Sequence, residues 1–271
     1  MRHLDVSDVR VPVLGFGTWQ LEGEAAYTGV RDALDLGYRH IDTAKLYGNE
    51  EEVGRAIADS GVDRDELFLT TKVWRTDATR EGVHASAEAS LRRLGVDHVD
   101  LLLIHWPAEE VAPVEETVAA LDEVREEGRT RAIGVSNYPT DLLRRAIDVA
   151  PIVTDQVEYH PFLDQDKVAG VLREHGLFLT AYSPIAQGEV LEDETLREIG
   201  EEHGKSPVQV SLRWLLQQPG VVAIPRSSSR DHIAANLDVF DVELSDDEME
   251  RISGLARGQR LVDPGFDFEW D

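Results

Sequence analysis

Short apolar runs alternate with longer amphipathic stretches along almost the whole chain. Eight of the runs have the composition of buried strands, and they lie at 13–17, 39–42, 67–72, 99–105, 132–137, 152–158, 177–183 and 221–227. Between them, apolar residues recur at helical spacing over 24–36, 50–59, 79–94, 114–127, 139–149, 165–174, 192–217 with a break before Pro207, and 230–238. Buried strands that alternate with helices are typical of parallel βαβ units. Eight such units predict an α/β fold with a closed (β/α)₈ barrel, the TIM barrel, because an open doubly wound sheet usually has fewer strands.

The two ends of the chain carry additional elements. RHLDV and RVPVL flank the turn residues Ser7 and Asp8, which predicts an N-terminal β-hairpin that could close one mouth of the barrel. Ser245 and Glu248 have capping-box spacing, so we expect an extra C-terminal helix whose first acids are helix-start residues and not metal ligands. The tail, 262–271, has no clear period and is expected to lie irregularly over the barrel. No repeat or linker divides the chain, which predicts one domain, 1–271.

Composition narrows the class of protein. The longest apolar runs, such as 101–104, are far shorter than the roughly 20 residues that span a bilayer, and the first residues show no apolar secretory segment. We therefore expect a cytoplasmic protein with no membrane partner. The chain has no Cys, which excludes disulfides and thiolate metal sites, and no His or acid pair has convincing ligand spacing, so no metal is expected.

The charge balance is unusual, with 53 acidic against 27 basic residues and a formal net charge of −26. The acids are dispersed, and only four of the bases are lysines, at 45, 72, 167 and 205. Such a surface repels nucleic acid and anionic lipid, so neither is an expected partner. Dispersed acids with few lysines are typical of proteins from salt-loving organisms, where molar salt shortens the Debye length to about 3 Å. An ordinary acidic mesophilic protein is the alternative.

Polar or amphipathic side chains follow the apolar strands. In a parallel barrel these strand ends converge on one mouth, where such enzymes carry out their chemistry. The residues are Trp19, Asp42, Lys72, His105, Ser136, Asn137, Gln156, Tyr182, Ser183 and Arg226. Each one has an ordinary structural explanation when taken singly, such as a core histidine or a lysine that reaches water from a strand end. Together on one rim they indicate a site.

Four residues near this rim have a common chemical purpose. The phenol of Tyr47 keeps its proton at neutral pH and can donate it to a developing alkoxide. A nearby Lys72 cation is expected to lower the pKa of that phenol, and Asp42 can supply the counter-charge that a buried ammonium requires. An uncharged His105 imidazole can hydrogen-bond a carbonyl oxygen and orient it towards Tyr47. This set of donors fits carbonyl reduction.

The motifs GYRHIDTAKLYGNEEEVG, LTTKVW, VDLLLIHWP, GVSN and YSPIAQG occur in this order, and with them the chain resembles the aldo-keto reductase family from LGFGTW at 14 to NLDVF at 236. GFGTW, DTAxxYGNE and SPxxQG are most similar to its prokaryotic branch with the 2,5-diketo-D-gluconate reductases. The resemblance implies a (β/α)₈ barrel, NAD(P)H as hydride donor, a catalytic tetrad of Asp42, Tyr47, Lys72 and His105, and a monomer.

The resemblance also implies how the cofactor is held, since no GxGxxG follows any strand. Ser136, Asn137 and Gln156 would bind the nicotinamide carboxamide, Tyr182 would stack on the ring, and Ser183 with the loop of Pro184, Ile185 and Gln187 would follow the pyrophosphate. Arg226 and Ser227 stand where the family binds the 2′-phosphate, a group that suits a guanidinium. Further cofactor contacts fall on Thr18, Trp19, His232 and Asn236.

His232 departs from the family pattern, which usually has an Arg at this position. An imidazole is mostly uncharged at pH 7, so one phosphate-binding charge is weakened or absent. We therefore expect NADP(H) to be favoured and NAD(H) to be accepted. The alternative is that His232 is simply a solvated helix residue.

Trp19, Trp74 and Trp106 lie beside the tetrad positions and predict an aromatic substrate pocket, although Trp is also an ordinary core residue at strand ends. We expect activity on small aldehydes, α-dicarbonyls or keto-sugars. Two other functions remain open. A barrel lyase could use Lys72 as a Schiff base, and a regulatory barrel could bind NADP(H) with little turnover.

Overall fold

The computed structural model describes residues 2–266 and 269–271, and its described part has the predicted barrel of eight parallel strands behind an N-terminal hairpin. The hairpin consists of β1 (His3–Val6) and β2 (Val9–Pro12). The barrel strands are β3 (Phe16–Gly17), β4 (His40–Asp42), β5 (Phe68–Val73), β6 (Val99–Ile104), β7 (Thr130–Ser136), β8 (Ile152–Glu158), β9 (Phe178–Tyr182) and β10 (Val221–Ala223), each paired with the next. Leu14 pairs with Ala223, and the Gly15 amide donates to the Ala223 carbonyl at 2.8 Å. These contacts close the sheet into a barrel.

The strands at this closure are shorter than the sequence pattern predicts. A Cβ at Gly15 would lie 2.8 Å from the His40 ring, so the chain passes too close to that ring for a side chain. On the other side, Pro225 has no N–H to extend the ladder, although its carbonyl accepts from the Gly17 amide at 3.0 Å. The two segments are joined by the bridge at Leu14 and by main-chain hydrogen bonds of Val13, Gly15 and Gly17, so the barrel closes over a short contact.

Helices cover the outside of the barrel. They are α1 (Glu24–Asp35), α2 (Glu50–Ser60), α3 (Arg80–Leu94), α4 (Val114–Glu126), α5 (Thr140–Val149), α6 (Asp166–Glu174), α7 (Glu194–His203), α8 (Pro207–Gln217), α9 (Arg230–Leu237) and α10 (Asp246–Ser253). The expected break before Pro207 is confirmed: Gly204 ends α7 at a φ of 65°, and Ser206 caps α8, where Pro207 occupies the first turn. No helix among the described residues is long and apolar enough to cross a bilayer.

The hairpin closes the lower end of the barrel, as expected. Val6 and Val11 are buried there and pack in one apolar cluster with the lower strand residues Phe68, Leu101, Leu103, Ala132, Val153, Phe178 and Val222. The larger core lies between the strands and the helices. The barrel is therefore sealed at its base, and its open mouth is at the C-terminal ends of the strands.

The C-terminal elements also agree with the sequence pattern. Ser245 and Glu248 form the capping box that begins α10. Beyond α10 the described part of the tail contains no helix or strand, while the predicted irregular positions 267 and 268 lie outside the described residues. Val262 and Pro264 border the mouth of the barrel, and the Asp271 carboxylate accepts from the Thr140 amide at 2.8 Å. The tail thus lies over the barrel.

Candidate active site

A cavity of about 460 Å³ lies at the open mouth of the barrel. It collects most of the residues that sequence reasoning proposed for the site, namely Thr18, Trp19, Asp42, Tyr47, Trp74, His105, Trp106, Asn137, Gln156, Tyr182, Ser183, Pro184, Ile185, Gln187 and Arg226. Five proposed residues do not line it: Lys72, Ser136, Ser227, His232 and Asn236. A barrel concentrates polar groups in this way because all strand ends point to one mouth.

Lys72 and Asp42 form a buried ion pair under the floor of the cavity. Lys72 is 0% exposed and Asp42 1%, and the Nζ atom lies 2.5 Å from Asp42 Oδ1. Nζ also donates to the Thr43 carbonyl at 2.8 Å, and the Gln156 amide donates to Asp42 Oδ2 at 2.8 Å. Burial lowers the pKa of Lys72, while Asp42 acts in the opposite direction. The amine is enclosed by these partners and does not reach the cavity surface.

Tyr47 is held at the cavity by a short 3₁₀ turn, Lys45–Tyr47, which follows β4. The turn ends at Gly48 with a φ of 66°, and the buried Asn49 side chain fixes the loop through the carbonyls of Thr18 and Leu21, both at 2.9 Å. The Tyr47 hydroxyl lies 3.4 Å from Lys72 Nζ. The phenol is therefore held beside the cation by a local turn and by the contacts of Asn49 with a distant segment.

The expected lowering of the Tyr47 pKa is wrong for this structure. Burial raises the pKa of the Tyr47 phenol well above its ordinary value, and the Asp42 carboxylate raises it further. The physical reason is that burial disfavours the charged phenolate and the Asp42 carboxylate adds to this effect, while Lys72 is paired with Asp42 at 2.5 Å and lies 3.4 Å from the phenol. Tyr47 is thus a protonated donor over the whole neutral range.

His105 stands edge-to-face against two aromatic rings, Tyr47 at 5.6 Å and Trp74 at 5.3 Å between ring centroids. Burial, and then the Lys72 charge, lower the pKa of His105 well below its ordinary value. Its Nδ1 atom is buried and has no hydrogen-bond partner among the described residues. An uncharged imidazole beside the Tyr47 hydroxyl can donate one hydrogen bond to an oxygen in the cavity.

A chain of polar contacts connects the ends of β7, β8 and β9. Asn137, at a φ of 64°, donates to the His105 carbonyl at 3.0 Å and accepts from the Tyr182 hydroxyl at 2.8 Å. The Ser136 hydroxyl donates to the Gln156 carbonyl at 2.7 Å, which turns it away from the cavity. Gln156 uses its amide nitrogen on Asp42, and in the described part of the chain its amide oxygen has no hydrogen bond. This oxygen is available to a ligand.

The residues proposed for the phosphate end are spread over two elements. Arg226 is exposed at the cavity edge, and its Nε donates to the Trp19 carbonyl at 3.1 Å. Ser227 is buried and accepts from the Ser229 amide at 3.0 Å. His232 and Asn236 lie on α9, His232 exposed and Asn236 buried. The structure therefore places one of these four residues, Arg226, in the wall of the cavity.

Part of the cavity lining is apolar. Trp19, Trp74 and Trp106 line the cavity, together with Leu46 and two tail residues, Val262 and Pro264, that sequence reasoning did not single out. Gln20, Gly188 and Ile224 were also missed, although Gly188 lies within the SPxxQG motif and Gln20 follows GFGTW directly. No periodic signal marks the tail residues, because they belong to no helix or strand.

The described residues contain no cluster of three or more His, Cys, Asp or Glu side chains that could hold a metal ion. The donors in the cavity fit an organic cofactor instead. The free amide oxygen of Gln156 suits a carboxamide N–H, the Tyr182 ring offers a stacking surface, and the Arg226 guanidinium suits a phosphate.

Comparison with known proteins agrees with this geometry. The sequence profile of the aldo/keto reductase family matches residues 13–257. The glyoxal reductase of Bacillus subtilis (strain 168) is 43% identical over 256 residues, covering 93% of this chain and 92% of its own. Methylglyoxal reductase DkgB of Escherichia coli O157:H7 is 40% identical over 267 residues, covering 96% and 99%. A solved structure described as that of a candidate 2,5-diketo-D-gluconic acid reductase B superimposes with a TM-score of 0.93 at 46% identity, covering 96% of this chain and 94% of that one.

Proposed function

The chain belongs to the aldo/keto reductase family, and from this premise we propose that it reduces small uncharged aldehydes and α-dicarbonyls with NADPH as the favoured hydride donor. The observation that carries the proposal is the position of the Tyr47 hydroxyl, which borders the cavity 3.4 Å from Lys72 Nζ and beside the His105 ring. Relatives named as glyoxal and methylglyoxal reductases support the same reaction class.

In the proposed mechanism the chain holds the carbonyl oxygen and supplies one proton. Uncharged His105 donates a hydrogen bond to the oxygen, and Tyr47 delivers its proton as the oxygen becomes an alkoxide. Lys72 then stabilises the phenolate that remains, and Asp42 keeps Lys72 in place. The bound nicotinamide supplies the hydride.

The cofactor would lie between the polar strand ends and the cavity edge. We assign the carboxamide to Asn137 and Gln156, with Ser136 behind them, and the ring face to Tyr182. The loop of Ser183, Pro184, Ile185 and Gln187, which lines the cavity, would follow the pyrophosphate. Thr18 and Trp19 also line the cavity.

Preference for NADPH is proposed from the phosphate end. Arg226 is the charged group available there, with Ser227 next to it in sequence and Asn236 on α9. His232 replaces the second guanidinium that the family pattern has, so we propose that NADH is also used. A single guanidinium still makes charge-assisted hydrogen bonds with a 2′-phosphate, which NADH lacks.

The substrate class follows from the charges in the cavity. Among the described residues that line it, Asp42 and Arg226 alone carry a formal charge at neutral pH, and Asp42 is neutralised by Lys72. The substrate side is formed by tryptophans, Leu46, Val262 and Pro264. Such a surface suits a small uncharged dicarbonyl and offers no partner to a carboxylate.

The structure disfavours the lyase alternative, because Lys72 Nζ is enclosed by Asp42 and Thr43 and does not line the cavity. The regulatory alternative predicts that the barrel binds NADP(H) but turns over little substrate, so a rate measurement distinguishes it from the proposed function. We also propose that the protein works in molar salt, on the basis of its net charge of −26, and that it is a monomer, as the family resemblance implies.

The test is the initial rate of NADPH and of NADH oxidation with methylglyoxal in about 2 M KCl, for the wild type and for Tyr47→Phe. We expect turnover with both cofactors, faster with NADPH, and a loss of about 10²- to 10⁴-fold in kcat in the variant. Saturable NADPH binding without turnover would reject the reductase and favour the regulatory function. Equal rates for the variant and the wild type would reject Tyr47 as the proton donor.

A further inference from the structure

Glu158 is a fully buried acid at the end of β8 that the proposed mechanism does not use. Its carboxylate accepts two main-chain hydrogen bonds from the C-terminal tail, from the Leu261 amide to Oε1 at 2.8 Å and from the Val262 amide to Oε2 at 2.9 Å. A buried carboxylate is costly unless it is fully hydrogen-bonded, so such a residue marks a place where the fold requires an acceptor.

A buried histidine completes the coordination of this carboxylate. His160 Nε2 lies 3.0 Å from Glu158 Oε1, and His160 Nδ1 accepts from the Phe162 amide at 3.3 Å. Because Nδ1 is an acceptor, the ring proton of the uncharged imidazole is on Nε2 and is donated to Glu158. The carboxylate therefore has three N–H donors and is fixed in one orientation.

The tail that Glu158 holds forms one wall of the cavity. Val262, whose amide is bound, and Pro264 both line the cavity, and the Phe266 ring packs on Trp74 and Trp106 at 6.2 and 5.4 Å between centroids. The segment before it is fastened to the same loop, since the amides of Arg257 and Gln259 both donate to the Phe162 carbonyl, at 3.1 and 3.0 Å. The described tail is thus attached to the β8 side of the barrel before it crosses the mouth.

We propose that Glu158 is a positioning residue that sets the size limit of the substrate by fixing the tail wall at 261–264. This inference rests on the proposed carbonyl reduction. Glu158 does not line the cavity and touches none of the four tetrad residues, so its effect passes through the position of Val262 and Pro264. Hydride transfer from the cofactor and proton transfer from Tyr47 do not involve Glu158, whereas the fit between the substrate and the tail depends on it.

The experiment compares Glu158→Gln with a matched control, Glu248→Gln. Glu248 also pairs with a histidine, His203, at 2.6 Å and accepts a main-chain amide, that of Ser245, at 2.6 Å, but it lies at the start of α10 and does not line the cavity. In Glu158→Gln one acceptor oxygen becomes an NH₂ group, which cannot accept from a tail amide. Glu158→Asp serves as a second variant, because its shorter side chain keeps the charge and cannot reach both amides.

Three readouts are needed. Hydrogen-exchange mass spectrometry over 258–266 reports whether the tail is attached to Glu158. We expect exchange at least about tenfold faster in both Glu158 variants and unchanged in Glu248→Gln. Steady-state kinetics with methylglyoxal and the bulkier phenylglyoxal report the size limit. We expect kcat for methylglyoxal within about threefold of the wild type, and a kcat/KM ratio of phenylglyoxal to methylglyoxal that rises by about tenfold, as for a pocket that gains space. NADPH affinity by fluorescence titration is expected to stay unchanged.

Each contrary result has a defined meaning. Unchanged exchange over 258–266 in the Glu158 variants would overturn the proposal that Glu158 holds the tail. Faster exchange with an unchanged substrate ratio would show that the tail attachment is structural only, and a similar shift in Glu248→Gln would attribute the effect to general loss of stability. A wild type without reductase activity would reject the proposed function. The exchange result would then still show separately whether Glu158 holds the tail.

Discussion

Replacing Lys72 by Met removes the cation from the buried ion pair beneath the cavity and leaves Asp42 without its main partner. Breaking a buried pair by removing one member typically costs about 3–5 kcal/mol of unfolding free energy. Here Lys72 is 0% exposed, and Asp42 keeps the Gln156 amide on its second oxygen at 2.8 Å, which places the expected loss at the lower end, about 3 kcal/mol. That is a large part of the about 5–15 kcal/mol by which domains are stable.

The assay is denaturant unfolding, followed by tryptophan fluorescence, of the wild type, Lys72→Met, Asp42→Asn and the double variant. We expect the double variant to lose at least about 2 kcal/mol less than the sum of the single variants, because each single change strands the other group. Lys45→Met is the matched control, since Lys45 pairs with Asp77 at a partly exposed site and should cost at most about 1 kcal/mol. Additive losses, or a loss below about 1 kcal/mol in Lys72→Met, would refute the reasoning.

Four further predictions follow from other features. Burial raises the pKa of Tyr47 and lowers that of His105, so the phenol stays protonated as pH rises and the imidazole stays uncharged as pH falls. The kcat/KM for reduction should therefore be independent of pH from about pH 6.5 to 9. A titration midpoint of kcat/KM inside this window would contradict the roles assigned to Tyr47 and His105. In Gly54→Ala the new Cβ would lie 2.3 Å from a backbone carbonyl of α3, so urea unfolding should show a loss of about 1–3 kcal/mol, whereas Gly170→Ala, with nothing within 4 Å, should cost nothing. His232→Arg restores a guanidinium and should raise the NADPH-to-NADH ratio of kcat/KM by about tenfold, a change worth about 1.4 kcal/mol; an unchanged ratio would place His232 outside the phosphate site. Activity and thermal stability should both rise with KCl towards molar concentration, and full activity at about 0.05 M would count against the salt-loving interpretation.

Much of the barrel can be predicted from the sequence because its signals are local. The apolar run over 99–105 corresponds to β6, and Gly204, Ser206 and Pro207 mark the helix break by their own backbone preferences. Once the alternation indicates a parallel barrel, strand ends such as Asp42 and His105 must share one mouth. The gathering of these residues is therefore a consequence of topology, which the pattern specifies.

Other properties depend on distances that a sequence does not contain. The direction of the Tyr47 pKa is set by a competition between burial, Asp42 and Lys72, and the expectation from Lys72 alone was wrong. Position 15 has no room for a side chain because the His40 ring lies against it, a contact between distant segments. The tail is bound through the main-chain amides of Leu261 and Val262. Almost every residue type has such an amide, so the tail sequence does not predict the attachment.

The bonds from Glu158 to the tail have a consequence for how this barrel can change. They engage main-chain N–H groups, which persist through almost any substitution other than proline. The side chain of Val262, one of these two residues, lines the cavity together with Pro264, while the bound amides keep the segment docked. A library randomised at 262 and 264 would therefore sample new pocket shapes without releasing the tail segment. Substrate selectivity can then change while the attachment of the tail is kept.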